Sequence, residues 1–176
     1  MTPENLTLIE PSLDFEEAFL AMAREYLAAG ASREKPGYEE AMKDFAAYVR
    51  KLQDAARGLN LAPGFVPQTT FWLIRDGRTF VATSHLRHRL TPKLEQEGGH
   101  IGYGTRPSER RRGYGTLICG LTLAKARALG LGRVLLTCNV DNTASARIIE
   151  KNGGVLQDVV RCEESGVLKR RYWIEL

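Results

Sequence analysis

The chain opens with a short apolar cluster, Leu6, Leu8 and Ile9, closed by Pro11 and Ser12, the pattern of a brief strand. Asp14 and Glu17 at cap-like spacing then introduce a helix with Phe15, Ala18, Phe19, Met22 and Tyr26 on one face. Gly30 to Gly37 reads as a loop. From Tyr38 a second helix carries Tyr38, Ala41, Met42, Phe45, Val49, Leu52, Ala56 and Leu59, with Gly58 and Asn60 marking its end. Its aromatic stripe of Tyr38, Phe45 and Tyr48 reads as core.

After Pro63-Gly64 the period shortens to that of strands. Thr69 to Arg75 is β-rich, Asp76-Gly77 is a two-residue hairpin signal, and Arg78 to Leu90 is the returning strand. Pro92 to Gly98 is a polar loop, and His100 to Thr105 a short strand holding Gly102 and Gly104. Glycine inside a strand marks a bulge or a close approach by a ligand or another backbone. A helix follows from Gly115 to Leu129, stopped by Gly130. Val134 to Thr137 is a short continuous apolar run, as in a strand covered on both faces. A last helix spans Asn142 to Asn152, and two strands, Val155 to Cys162 and Leu168 to Leu176, close the chain. The order predicts a mixed α/β sheet in which His100 to Thr137 forms a right-handed parallel crossover.

Composition fits this picture. A length of 176 residues suits one domain, 1–176, and 43% apolar with 26% charged residues is ordinary for a globular chain. No apolar run approaches a membrane span and the first residues lack a signal-peptide core, so the expected location is cytoplasmic, with no membrane partner. Cys119, Cys138 and Cys162 are three in number, far apart and without a Cys-x-x-Cys pair, and read as reduced thiols. His85-Leu86-Arg87-His88 lacks the carboxylate or cysteine partners a metal site needs, so no metal is expected. The net charge is +4, and no stacking-aromatic repeat or DNA-binding motif accompanies it, so no nucleic acid is expected as partner.

The charge is concentrated where it matters. Arg106, Arg110, Arg111 and Arg112 stand beside Gly113 and Gly115, between a predicted strand and a predicted helix. A helix start carries amides without intrahelical acceptors and a partial positive charge; glycines let a ligand approach, and arginine forks suit phosphate oxygens. The segment has neither the Gly-Lys-Ser/Thr of a nucleoside-triphosphate loop nor a third glycine, since Ile118 stands there.

The pattern Arg110-x-x-Gly113-x-Gly115 resembles motif A of the GNAT N-acetyltransferase superfamily, and Asn139 to Ser145 with Glu150-Lys151-Asn152-Gly153 resembles its later Asn-x-x-Ser and Glu-Lys-x-Gly segment. Gly98 to Pro107 and Arg170 to Trp173 are similar to a bacterial group of predicted acetyltransferases within it. The resemblance implies a mixed, mostly antiparallel sheet of six to seven strands with a central parallel pair, flanked by about four helices. It implies acetyl-CoA as co-substrate and an N-acetyltransferase acting by direct attack of a primary amine, on a small molecule or a peptide. The alternative is a catalytically silent CoA-binding sensor or interaction module. The implied cofactor-binding residues are Tyr103, Gly104, Thr105, Arg110, Arg111, Arg112, Gly113, Tyr114, Gly115, Thr116, Asn142 and Ser145. For Asn142 and Ser145, helix capping competes with that role.

The chain departs from the superfamily at its proton-handling positions. Ile149 stands where many members carry a tyrosine, and Gly99 where many carry a base. That leaves His100 and Tyr103 as the catalytic candidates, with Glu97 acting through water as a further one. Glu25, Glu34, Glu39 and Glu40 are expected to attract a cationic amine. The last strand, through Tyr172 to Ile174, allows a homodimer.

Overall fold

Residues 68–87 set the frame. Asp76 (φ 51°) and Gly77 (φ 67°) both take the left-handed turn that hairpins favour. They join β2 (Gln68–Arg75) to β3 (Thr79–Arg87) as antiparallel neighbours. Successive β2 side chains go to opposite faces: Phe71 and Leu73 to one, Trp72 and Ile74 to the other. The structure, a computed structural model, describes residues 4–30 and 35–176.

Helices α1 (Glu16–Ala28), α2 (Lys35–Lys43) and α3 (Phe45–Arg57) cover the Trp72 face, where Phe19, Met22, Tyr38, Phe45, Trp72 and Phe80 form one core. The single helix predicted from Tyr38 to Leu59 is two. Asp44 leaves helical geometry (φ −152°, ψ 92°), and its carboxylate caps α3 by accepting the Ala47 N–H at 2.8 Å. The periodicity runs through the break because Ala41, Phe45 and Val49 all reach the same core. The predicted loop from Gly30 to Gly37 is shortened by α2, which starts at Lys35; residues 31–34 lie outside the described residues.

On the other face lies α5 (Tyr114–Ala128), with α6 (Thr143–Lys151) beside it. The loop predicted at Pro92 to Gly98 contains a one-turn helix, α4 (Pro92–Gln96), capped by Thr91. No described helix is long and apolar enough to cross a membrane.

Among the described residues seven strands form two sheets, and every ladder is antiparallel. β1 (Leu6–Ile9), β2, β3 and β4 (Ile101–Thr105) make one; β5 (Arg133–Asn139), β7 (Leu168–Glu175) and β6 (Val155–Arg161) make the other. The mixed α/β architecture is the expected one, with a refinement at its centre. β4 and β5, the strands expected as the central parallel pair, share no ladder, and the sheet divides in two between them. They are joined by His100, whose N–H donates to the Leu135 carbonyl at 2.7 Å and whose Nδ1 accepts the Leu135 N–H at 2.9 Å. Gly98 (φ 109°) and Gly99 (φ 60°) turn the chain into this joint.

Candidate functional site: an open seam between two strands

The register fixes which backbone groups remain available in the seam. On β4, the hydrogen bonds Arg87 N–H to His100 O and Arg106 N–H to Val81 O set the parity. Residues 102 and 104 therefore bond to β3, while Tyr103 and Thr105 turn their amides and carbonyls to the opposite edge. On β5, Val140 N–H to Leu168 O and Leu176 N–H to Gly132 O commit the even-numbered residues to β7. Thr137 and Asn139 thus face β4. Beyond His100 and Leu135 the two edges diverge around a cavity of about 680 Å³, lined along the seam by Tyr103, Gly104, Thr137, Cys138, Asn139 and Ser145.

The glycines of β4 have separate reasons. A Cβ on Gly102 would meet no protein atom within 4 Å, so its absence keeps the cavity floor open beside His85, its β3 partner. A Cβ on Gly104 would come within 2.9 Å of the Tyr26 hydroxyl.

At the far end of β4 the chain passes a 3-10 turn (Pro107–Glu109) and enters α5. Arg111 (φ 63°) and Gly113 (φ 87°) are both left-handed, and Gly113 occupies the helix N-cap without a side-chain cap. The first backbone bond of the helix runs from Leu117 N–H to Gly113 O. The amides of Tyr114, Gly115 and Thr116 precede it and have no intrahelical acceptor, an arrangement suited to an anion. Gly115 is there for packing: a Cβ would meet Ile148 Cδ1 at 2.8 Å.

The four arginines divide two and two. Arg106 pairs with Glu25 at 2.5 Å, and Glu25 also accepts the Ser108 N–H. Against the desolvation that opposes it, this keeps the Glu25 carboxyl below its usual range. Arg112 bridges Glu109 (2.7 Å) and Glu4 (2.5 Å). Buried Glu109 is also held by both forks of Arg75, at 2.7 and 2.9 Å, and this lowers its pKa. Tyr114 belongs to the same network, accepting from Arg75 and donating to Glu4, with its ring buried. The side chains of Arg112 and Tyr114 are therefore braces under the loop, and the ligand contact expected of these two residues falls to their backbone amides. Arg110 and Arg111 are exposed and in no ion pair among the described residues.

The candidates for proton handling separate as clearly. His100, expected as catalytic, is buried, does not line the cavity, and has its Nδ1 occupied by Leu135. Burial, helped by nearby Arg87, pushes its pKa down to about 4, so it is neutral at pH 7. Its place is the strand joint. Tyr103 does line the cavity; its hydroxyl lies 2.9 Å from Ser145 Oγ and donates to Ser145 O at 3.2 Å. Burial raises its pKa, so the phenol keeps its proton. Asn142 caps α6, accepting the Ser145 N–H at 3.0 Å. Ile149 lines the cavity where the resemblance leads one to look for a tyrosine.

Alternation along β3 brings in residues the sequence reading left aside. Thr83, His85 and Arg87 share the cavity face, with His85 Nδ1 3.1 Å from the hydroxyl of buried Thr70. Polar residues at every second position, opposite the glycines of β4, are the signal that marks them. Glu97 lines the cavity too, with Lys169 Nζ at 2.6 Å, Ser165 Oγ at 3.0 Å and Cys162 Sγ at 3.1 Å. Lys169, first among these causes, holds its pKa down to about 2, too low for a useful base at neutral pH. Among the described residues no three His, Cys, Asp or Glu side chains gather as metal ligands.

The lowered Glu97 pKa has a testable sign. Its stabilisation is full above the unfolded carboxyl pKa of about 4.3 and is lost as pH falls toward 2. Urea titrations should show the wild type more stable than Glu97→Gln at pH 7, with the gap closing between pH 5 and 2. A gap independent of pH would contradict the pairing.

An acetyltransferase (GNAT) domain model matches residues 5–155, and the chain belongs to that family. No curated protein matches the chain. Among solved structures, RimL, a ribosomal L7/L12 α-N-protein acetyltransferase in complex with coenzyme A, aligns at a TM-score of 0.72 and 17% identity over 97% of this chain and 94% of that one. Mycobacterium smegmatis RimJ, in complex with a CoA disulfide, gives a TM-score of 0.72 at 14% identity over 97% and 81%. Spermidine N-acetyltransferase from Vibrio cholerae, with CoA and spermine, gives 0.65 at 13% over 97% and 95%. At these identities the likeness is one of fold.

Proposed function

We propose that this chain transfers the acetyl group of acetyl-CoA to a primary amine by direct attack. The observation that carries the reading is the open seam. Two strand edges present backbone groups to one cavity, and the seam leads to the uncapped start of α5, so a long, thin, anionic molecule is met by the right groups in order. Tyr103, Thr105, Thr137 and Asn139 would pair with the amide-bearing arm, as an added strand does. The amides of Arg111 to Thr116, with the side chains of Arg110 and Arg111, would hold the pyrophosphate. Asn142 and Ser145 border the arm.

Acetyl-CoA supplies an activated acyl carbon and a thiolate leaving group. The chain supplies the rest. An amide on the inner edge of β4, that of Tyr103 or Thr105, stabilises negative charge developing on the acyl oxygen. The Tyr103 phenol, protonated at neutral pH and hydrogen-bonded to α6, gives a proton to the thiolate from β4, where Ile149 cannot. His85, on the cavity floor with its Nδ1 3.1 Å from the Thr70 hydroxyl, takes at Nε2 the proton the amine must lose, in the tautomer whose Nδ1–H donates to Thr70. His100 holds the strands and has no part in this path.

The test is release of free CoA thiol in the presence of primary amines. Turnover supports transfer; binding of acetyl-CoA without turnover on any amine would favour the silent CoA-binding alternative. Tyr103→Phe should lower kcat by about a hundredfold, in the range of a lost general acid, and leave acetyl-CoA affinity nearly unchanged. An unaltered kcat would remove Tyr103 from the path.

A further inference from the structure

The acceptor half of the cavity has a character of its own. Away from the seam its wall is a run of rings from α1, α2 and α3. Tyr26 and Tyr38 have centroids 5.4 Å apart, Phe19 and Tyr38 6.1 Å, and Phe19 and Tyr48 5.3 Å, and all four rings line the space. At the mouth stands Phe65, 70% exposed, an aromatic side chain held in water by a turn from Ala62.

The carboxylates on this wall are already neutralised. Glu40 is paired with Lys51 at 2.7 Å, and Glu97 with Lys169 at 2.6 Å. Arg87 adds positive charge at the floor, where it donates to the Gly98 and Gly99 carbonyls. Of the carboxylates expected to draw in a cationic amine, Glu25 is bound to Arg106, Glu39 does not line the cavity, and Glu34 lies outside the described residues. A polyamine, with a cation at each end, needs carboxylates that no internal cation shares. Among the described residues this wall offers it rings and balanced pairs.

We infer that the acceptor is a monoamine with an aromatic or bulky apolar body, seated against Tyr38, Tyr48 and Phe65 with its amino group toward His85. This rests on the transferase reading above and names the substrate class for the same site. Covering an aromatic body and Phe65 together removes apolar surface from water, and a ring of that size accounts for a preference of about 30-fold or more over a three-carbon amine.

The experiment compares 2-phenylethylamine, n-propylamine and spermidine as acceptors by CoA thiol release, alongside calorimetric titration with acetyl-CoA alone. The expected result is the highest kcat/KM for 2-phenylethylamine, by about 30-fold or more over either competitor. Phe65→Ala, at an exposed position, should raise KM for 2-phenylethylamine about tenfold and narrow its preference over n-propylamine by a similar factor; an unaltered preference overturns the assignment of Phe65 to the seat. Preference for spermidine, or equal use of n-propylamine, overturns the inference while the transferase reading stands. Acetyl-CoA binding without turnover of the aromatic amine overturns it as well. Failure to bind acetyl-CoA strikes the underlying reading instead, and the two failures are thus distinguishable.

Discussion

Gly113→Asp is expected to weaken acetyl-CoA binding by at least about a hundredfold while the protein stays folded. Gly113 is the N-cap of α5 at φ 87°, and a Cβ there would meet nothing within 4 Å, so a side chain fits without collision. Backbone strain from a left-handed non-glycine residue costs about 1–2 kcal/mol, which a domain of this size tolerates. The carboxylate would sit where the proposed phosphates sit. It repels them and competes for the amides of Tyr114 to Thr116. Two unit charges about 4 Å apart repel by about 1 kcal/mol in water and about 4 kcal/mol near a protein surface, so about a hundredfold is a moderate expectation. Gly113→Ala carries the strain without the charge and should lose less than about tenfold. Calorimetric titration measures both. Equal affinities for the aspartate variant and the wild type would place the phosphates elsewhere.

Gly99→Ala should be among the most destabilising single substitutions in the chain. Gly99 sits at φ 60°, and an added Cβ would lie 2.9 Å from the Leu135 carbonyl carbon and 3.2 Å from the Leu136 Cα. Both are backbone atoms of β5 and cannot swing aside. Relief requires β4 and β5 to part, which breaks the two hydrogen bonds that His100 makes to Leu135. Buried groups left without partners cost about 1–3 kcal/mol each, and left-handed strain adds about 1 kcal/mol, so the expected loss is about 3–5 kcal/mol. Urea denaturation would show it as a lower midpoint at similar slope. A loss under about 1 kcal/mol would mean that the joint yields easily.

These two glycines show how far the sequence carries. Gly113 was legible because arginines, a helix start and a preceding strand coincide around it in one short segment. In the sequence Gly99 marks only a position without a base. Its reason lies in Leu135, thirty-six residues on, and contacts that distant leave no local pattern. The same limit explains His100. Its neighbourhood marked it as a proton-handling candidate, but its partner is a backbone amide across the seam. The ionic brace was hidden for a related reason: Glu4, Arg75, Glu109 and Arg112 come from three separate segments, and in sequence the arginine counted as surface charge for a ligand. His85 is not legible as a cavity residue in the sequence, because its place there depends on facing Gly102 across the ladder. The break at Asp44 leaves no mark in the pattern because one hydrophobic period serves both helices.

The diverging edges of β4 and β5, with the start of α5, are the proposed acetyl-CoA site. Amide hydrogen exchange with and without acetyl-CoA tests it most directly. Added protection should fall on Tyr103, Thr105, Thr137 and Asn139 and on the amides from Arg111 to Thr116, with little change in β1, β2 or β6. Saturable binding with no added protection at those amides, or with protection centred elsewhere, would place acetyl-CoA outside this seam.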